Sequence, residues 1–233
     1  MKHIIIVMSI MSLGAFLWSQ GGSEGESQSM NHSNNKDFTI REALPEWEKH
    51  YSEAEVERAV LAGGCFWGVE AVFEQLEGVL NVDSGYSGGS KETAHYELVG
   101  TGATGHAEAV EIVFDPKVIS YETLLEVFFT VAHDPTQYNF QGPDVGTEYR
   151  SAIFYGDEKQ HEAAKEIIAA LTRDKVYKAP IVTQVVSLEA FYPAEDYHQD
   201  FLRLNPDHGY IVYWDIPKLK DLWEKFPHLV QSQ

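Results

Sequence analysis

The sequence predicts an α+β fold, a two-layer α/β sandwich in which helices cover a mixed β-sheet. Short apolar runs typical of strands alternate along the chain with segments whose apolar residues recur at helical spacing. The composition is globular, with 44% hydrophobic and 12% aromatic residues, and the length after the N-terminal segment suits one domain.

Three strands and two helices are predicted in the first half of the domain. The strands are residues 56–62, 79–86 and 108–114. The helical stripes are Val69, Val72, Phe73 and Leu76, and then Tyr121, Leu124, Leu125 and Phe128. Gly78 ends the first helix, and Asp115-Pro116 ends the third strand.

The second half is predicted to add strands at residues 149–155 and 181–188 and helices at 157–172, 194–204 and 216–225. Asp157 is the expected N-cap of the long helix. The connections between Gly89 and His106 and between His133 and Glu148 are long and rich in Gly, Pro, His, Asp and Tyr. Such polar connections are where functional sites usually lie.

The N-terminus predicts export. Lys2 and His3 precede an apolar run at residues 4–18, which is short for a membrane span, and small residues follow it. We therefore expect a signal peptide at 1–19, a polar linker and N-terminal extension at 20–55, and one folded domain at 56–233. The protein would be periplasmic or extracellular without a stable membrane anchor, although an uncleaved signal anchor remains an alternative.

The charge balance limits the partners. Seventeen basic against 36 acidic residues give a net charge of -19. Nucleic acids and anionic membranes attract basic surfaces, so neither is expected as a partner. A monomer is the default expectation for the assembly.

The only cysteine in the sequence is a candidate nucleophile. One thiol allows neither a disulfide within the chain nor a multi-thiolate zinc site. Gly63-Gly64 permits a sharp turn before Cys65, and a helix starting there would favour the thiolate through its free N–H groups. Phe66 and Trp67 follow directly. The alternative is a small buried hydrophobic residue, which is the common state of a free cysteine.

Glu108 is a candidate acid. It shares a strand face with Val110, Ile112 and Phe114, where burial would raise the pKa of its carboxyl group and make it a proton donor near neutral pH. The alternative is that Glu108 reaches solvent from the strand end. Glu111 lies on the opposite face and is expected to be solvated.

Two clusters contain residue types that bind metals, but neither has the spacing of a ligand motif. They are His133-Asp134 and Glu195-Asp196 with His198 and Asp200. Helix-surface and capping roles are the ordinary interpretation of both. The glycine-rich stretches lack the Gly-Lys-Ser/Thr sequence of a phosphate loop.

Several motifs, in order along residues 59–210, resemble the peptide methionine sulfoxide reductases of the A type. The first three are Gly63-Gly64-Cys65-Phe66-Trp67-Gly68-Val69-Glu70, Ser84-Gly85-Tyr86-Ser87-Gly88-Gly89 and Thr104-Gly105-His106-Ala107-Glu108. The others are Val113-Phe114-Asp115-Pro116, His133-Asp134-Pro135-Thr136-Gln137, Gly146-Thr147-Glu148-Tyr149-Arg150-Ser151-Ala152-Ile153 and Tyr192-Pro193-Ala194-Glu195-Asp196-Tyr197-His198-Gln199. The resemblance implies a ferredoxin-like sandwich with long polar loops and an extended C-terminal segment.

The resemblance also implies reduction of the S epimer of methionine sulfoxide, free or in proteins, without a metal or organic cofactor. Cys65 would be the nucleophile and Glu108 the proton donor to the sulfoxide oxygen. The remaining roles are hydrogen bonds to that oxygen from Tyr96 and Tyr149, an apolar methyl pocket from Phe66 and Trp67, and orientation of the substrate main chain and ordered water by Asp144.

Two positions depart from the family pattern. Many relatives carry a resolving cysteine in a Gly-Tyr-Cys context, whereas this chain has Gly209-Tyr210-Ile211. Phe201 stands where relatives commonly have tyrosine. The resemblance therefore implies a one-cysteine enzyme whose sulfenic acid is reduced by an external thiol, either a small thiol or a thioredoxin-like protein.

Three other functions remain open at this stage. A thiol peroxidase would also form a sulfenic acid, and a non-catalytic binder of oxidised methionine would use Cys65 only for packing. A cysteine hydrolase would need a basic histidine beside the thiol, for which His106 and His198 are candidates.

Overall fold

The computed structural model describes residues 40–41 and 46–230. The predicted signal peptide and residues 20–39 of the predicted linker lie outside the described residues and stay predictions. Ile40 packs against the core of the domain, and an Arg41 guanidinium N–H donates to the carbonyl oxygen of Glu74 at 2.8 Å. None of the helices in the described part is long and apolar enough to cross a bilayer.

The domain contains a six-stranded sheet, a two-stranded hairpin and six α-helices within its described part. The sheet strands are β1 (Glu57–Gly63), β2 (Val79–Ser87), β3 (Ala107–Phe114), β6 (Ser151–Tyr155), β7 (Gln184–Ser187) and β8 (Phe191–Pro193). The hairpin strands are β4 (Phe140–Gln141) and β5 (Asp144–Val145). The helices are α1 (Phe66–Glu74), α2 (Tyr96–Val99), α3 (Tyr121–Val127), α4 (Glu158–Arg173), α5 (Phe201–Leu204) and α6 (Ile216–Lys225).

The sheet order β7-β6-β1-β3-β2-β8 confirms the predicted fold class. All neighbouring strands are antiparallel except β6 and β7, so the sheet is mixed. The units β1-α1-β2 and β3-α3-β6 interleave, placing β1 and β3 side by side at the centre. This interleaved arrangement is the ferredoxin-like split βαβ motif.

The core explains why β1 and β3 are central. Leu61, Ile112 and Ile153 belong to the main core, which also contains the buried faces of the helices. Val60 and Ala109 belong to a smaller cluster on alternate strand positions, covered by Leu188 and Phe191. Because both faces are covered, the central strands are nearly continuous runs of apolar residues.

The prediction of a single helix at residues 194–204 is wrong. The segment forms a one-turn 3₁₀ helix at Asp196–His198 and then α5. Asp200 between them has a φ of 54°, in the left-handed region that ends regular helix. Gln199 accepts from the Ser84 N–H and donates to the Ser84 carbonyl, both at 2.9 Å, so tertiary bonds to the edge of β2 replace helical ones.

Other differences are smaller. The strand predicted at 181–188 is confined to β7, and the predictions omit β8, α2 and the β4-β5 hairpin, which are too short to show periodicity. Glu111 is not solvated as predicted. Its side chain is 20% exposed and forms an ion pair with Arg58 at 2.8 Å.

Gly85 permits β8 to pair with β2. A Cβ at this position would lie 2.4 Å from both the Tyr192 carbonyl oxygen and the Phe191 ring. We expect Gly85→Ala to lower the free energy of unfolding by about 1–3 kcal/mol in urea denaturation, because the backbone oxygen must move. Gly209→Ala is the matched control, since nothing lies within 4 Å of its added methyl group. Equal stability of the two variants would contradict this account.

Candidate active site

Cys65 is the N-cap residue of α1, directly after the turn that leaves β1. Gly64 makes the turn with a φ of +93°, and a Cβ there would lie 2.5 Å from the side chain of Gln141. Both the backbone conformation and the close approach of the hairpin therefore require glycine. The turn leaves Cys65 partly exposed at the end of the sheet.

Glu108 lies beside the start of the same helix. Its side chain is 3% exposed, and its Oε2 accepts a hydrogen bond from the Phe66 N–H at 3.1 Å. Burial raises the pKa of Glu108 to about 8, with Asp144 and Glu148 acting in the same direction and the Phe66 N–H against it. The structure thus brings the predicted acid to the residue that follows Cys65 and keeps it protonated at neutral pH.

Several groups act on the ionisation of the Cys65 thiol. Burial raises its pKa well above the usual value, and Glu108 and Asp215 add to this effect. The Trp67 N–H and Lys218 oppose it, so the expected contribution of the helix N-terminus is present but smaller than that of burial. The thiolate character of Cys65 stays a prediction.

Two phenols lie around the same point. Tyr96 and Tyr149 are partly buried, and burial followed by the charge of Glu108 raises both of their pKa values. Both interact electrostatically with Cys65. They remain neutral hydrogen-bond donors across the physiological pH range.

The backbone segments that carry these two phenols are held in different ways. The Tyr96 N–H donates to Glu195 Oε1 at 3.0 Å, and the Tyr86 hydroxyl donates to Oε2 of the same carboxylate at 2.8 Å. Glu195 therefore joins α2 to β2, and it confirms the predicted capping role because it accepts from the first N–H of α2 and is the N-cap residue of the turn Asp196–His198. Tyr149 ends a 3₁₀ turn that directly follows the β4-β5 hairpin.

Asp144 reaches the site from strand β5. The Tyr210 hydroxyl donates to its Oδ2. Burial raises the pKa of Asp144, while Tyr210 and Lys218 act in the opposite direction. Tyr210 is a site residue that the sequence analysis did not assign, because its partner is 66 positions away.

The aromatic residues after Cys65 have different surroundings. Phe66 is 1% exposed, with its ring 5.0 Å from that of His198. Trp67 is partly exposed and stacks on Phe201, with ring centroids 3.7 Å apart and planes at 8°. Its Nε1–H donates to His198 Nδ1 at 3.1 Å. Phe201 thus supports Trp67 through an apolar face that needs no hydroxyl group.

The histidines are engaged in structural contacts. His106 Nδ1 accepts from the Gly89 N–H, and its Nε2 bonds to the Ser90 carbonyl. His133 caps the helical turn Phe128–Ala132 through a bond to the Phe128 carbonyl, which confirms the predicted capping role, but it is buried and does not lie on a helix surface. Its other ring nitrogen bonds to Ser151 Oγ, and burial lowers its pKa to about 4. The candidate bases of a hydrolase, His106 and His198, have ring nitrogens bound to partners other than Cys65.

Of the described residues, the two clusters considered above for metal binding are not among the groups whose ligand atoms lie close together. Within the described ranges, the one set of three side chains close enough to share an ion is Glu158, His161 and Glu162, on the first turns of α4. Both glutamates of this set are exposed, and exposed acidic groups commonly lie together without an ion.

The fold is an α+β sandwich, and its site brings together a thiol, a buried acid and two phenols. The family model for peptide methionine sulfoxide reductase matches residues 57–228. The MsrA 2 protein of Mesorhizobium japonicum is 56% identical over 177 residues, covering 76% of this chain and 91% of the relative.

Two solved structures are similar to the domain. Reduced Mxr1 of Saccharomyces cerevisiae has a TM-score of 0.63 at 33% identity, covering 67% of this chain and 90% of its own. Methionine sulfoxide reductase A of Corynebacterium diphtheriae has a TM-score of 0.58 at 32% identity, and the match covers 66% of this chain and 77% of that one. The chain belongs to the peptide methionine sulfoxide reductase family, A type, and is an enzyme of that family.

The carboxylates near Cys65 should influence the pH at which its thiol ionises. Glu108→Gln removes the neighbouring carboxylate that raises the Cys65 pKa, so the midpoint of the pH dependence of iodoacetamide alkylation should fall. Glu111→Gln is the matched control on the opposite face of β3, and we expect it to leave the midpoint unchanged. Intact-mass measurement of alkylated chain checks both, and equal midpoints in all three proteins would refute the assignment.

Proposed function

We propose that the protein reduces the S epimer of methionine sulfoxide, free and in polypeptides, to methionine with Cys65 as nucleophile. The observation that carries the proposal is the hydrogen bond between Glu108 and the Phe66 N–H. It places a protonated carboxyl group beside the candidate nucleophile, and Tyr96 and Tyr149 interact with the same two groups. Membership of the reductase family supports the same reaction.

The buried acid supplies what a sulfoxide lacks. The sulfur of a sulfoxide is a poor electrophile until the sulfoxide oxygen is protonated or strongly hydrogen-bonded. Glu108 carries a proton up to a pH of about 8 because of its burial, and the two phenols donate without ionising. These donors act where charge changes in the transition state, which is where preorganised hydrogen bonds accelerate a reaction most.

The chemical step conserves atoms and electrons. The sulfur–oxygen bond of the substrate breaks, and a sulfur–oxygen bond forms on Cys65. One thiol and one sulfoxide become one sulfenic acid and one thioether, with the thiol proton or its equivalent ending on the sulfenic oxygen. Cys65 is oxidised by two electrons, and the substrate sulfur is reduced by two.

The pocket accounts for selection of one epimer. Trp67, stacked on Phe201, provides an apolar wall for the S-methyl group, with Phe66 behind it. Asp144, held by Tyr210, orients the main chain of the substrate from the other side. A chiral sulfoxide can satisfy the methyl, oxygen and main-chain contacts together in only one configuration.

Regeneration of Cys65 requires an external thiol. Ile211 occupies the position of the resolving cysteine, is fully buried, and begins a π-helical turn. One external thiol condenses with the sulfenic acid to a mixed disulfide and water, and a second thiol releases Cys65 and leaves as a disulfide. The donor class is a small thiol or a thioredoxin-like protein.

The proposed setting is outside the cytoplasm, where the enzyme repairs oxidised exported proteins. The support is the predicted signal peptide at residues 1–19, with its basic start and apolar run. The intact mass of protein exported by a native-like host tests this setting, and retention of Met1 would count against cleavage.

The first arm of the activity test uses separated S and R epimers of a methionine sulfoxide peptide with dithiothreitol as donor. Methionine should form from the S epimer alone, disappear in Cys65→Ser, and form at least 100-fold more slowly in Glu108→Gln. Glu111→Gln should retain the parent rate. Methionine formation in Cys65→Ser would remove the thiol from the mechanism, and reduction of peroxide but not sulfoxide would make the protein a thiol peroxidase.

The second arm omits the donor. Pre-reduced protein should release one methionine per chain and then stop, with a mass increase of about 16 Da on Cys65. Several turnovers without added thiol would contradict the external regeneration step. Binding of the sulfoxide without any methionine release would favour the non-catalytic binder.

A further inference from the structure

The Trp67 indole is held by a flat contact and by a directional bond. One face of the ring stacks on Phe201, with ring centroids 3.7 Å apart and planes at 8°. The indole Nε1–H donates to His198 Nδ1 at 3.1 Å. Stacked rings can slide and turn within their plane at little cost, because stacking gives no single atom a fixed partner. The hydrogen bond supplies the directional restraint that stacking lacks.

The other surroundings of the indole restrain its rotation less. Trp67 is partly exposed, so the protein does not enclose its ring on every side. Tyr210 and His208 meet the ring edge-on, with centroids 5.9 Å and 6.2 Å away, and aromatic pairs tolerate distances of about 4.5–7 Å. A small rotation of the indole would therefore leave these contacts in place and change the shape of the wall proposed for the S-methyl group.

The acceptor of the bond is itself fixed. His198 is 1% exposed and ends a one-turn 3₁₀ helix. The next residue, Gln199, bonds to both the N–H and the carbonyl of Ser84 on the edge of β2. The rings of Phe66 and Tyr96 lie 5.0 Å and 4.4 Å from the imidazole. Backbone anchoring and packed rings together hold His198 Nδ1 at one point of the domain.

The imidazole must be neutral to accept this bond. Nδ1 accepts only when it carries no proton, so the proton of the neutral ring lies on Nε2. In the imidazolium both nitrogens donate, and the bond to Trp67 would be lost. Burial lowers the pKa of His198, whereas the charge of Glu195 raises it. The phenols of Tyr96 and Tyr197 also face the ring. Burial thus favours the form of His198 that holds the indole.

Packing alone does not account for a histidine at this position. Among the described residues, the buried Nε2 of His198 has no hydrogen-bond partner. A buried donor without an acceptor lowers stability, and an apolar side chain of similar size would fill the same space without that cost. The bond that the ring accepts through Nδ1 gives a reason for the imidazole.

We propose that His198 is a positioning residue that holds the Trp67 indole in one orientation and thereby sets the width of the S-methyl pocket. The inference rests on the proposed function, in which Trp67 is a wall of that pocket. A fixed wall excludes the larger S-ethyl group, which a turned indole would admit. One extra methylene in an apolar pocket changes kcat/KM by about 10–200-fold, so the orientation of one ring can decide this selection.

The first arm of the test observes the indole without sulfoxide. The ¹⁵N–¹H resonance of the Trp67 indole is recorded in the parent, His198→Leu and His198→Asn, and its disappearance in Trp67→Phe identifies it. Asn and Leu have the same shape, but only the Asn side-chain oxygen can accept a bond at the position of Nδ1. We expect the indole proton of His198→Leu to move upfield and to exchange with water about 5-fold faster, and that of His198→Asn to exchange at the parent rate.

The matched control is His208→Leu, the same substitution at an exposed histidine whose ring also borders the indole. It should leave the exchange rate unchanged. The second arm compares kcat/KM for the S epimers of methionine sulfoxide and ethionine sulfoxide. We expect His198→Leu to lower the preference for the S-methyl group by roughly 3–10-fold, and His198→Asn and His208→Leu to keep it.

Equal exchange rates in His198→Leu and His198→Asn would overturn the proposal, as would an unchanged preference in a His198→Leu protein that has lost the bond. Circular dichroism melting identifies a variant that does not fold, and His198→Ala then replaces His198→Leu. The outcome is separable from the proposed function. Absence of methionine formation in the parent removes that function, while the indole measurements still decide whether His198 positions Trp67. Methionine formation with an unaltered indole in His198→Leu removes this inference alone.

Discussion

The site depends on the hydrogen bond from the Phe66 N–H to the carboxyl group of Glu108. This bond joins the start of α1 to strand β3, at residues 42 positions apart, and so fixes the acid beside the thiol. The turn at Gly64 makes the bond possible, because it points the free N–H groups of the helix back at the sheet. The phenols and Asp144 are arranged around the space that these two groups share.

One physical cause, burial, acts on both candidate groups of the site. It raises the pKa of Cys65 and of Glu108 together, and each carboxylate near the thiol opposes its ionisation. The burial that favours the protonated form of Glu108 therefore disfavours the thiolate of Cys65.

The C-terminal segment connects this chemistry to the rest of the fold. Ile211 lies in the core, and the helix that follows carries a charged pair against Gly68. Tyr210 from the same segment holds Asp144, and Phe201 supports Trp67. A segment that is anchored in this way uses its own side chains to shape the site.

The sequence by itself determined the central strands, the long helices, Cys65 and Glu108, because strand and helix periodicity and the Gly-Gly turn are local signals. It failed at 194–204, where Gln199 forms bonds to Ser84 that no local pattern contains. Only the tertiary structure decided that burial raises the pKa of the Cys65 thiol, that Tyr210 holds Asp144, and that Lys218 lies against the first turn of α1. Burial and contacts between distant residues set these properties, and both exist only once the chain has folded.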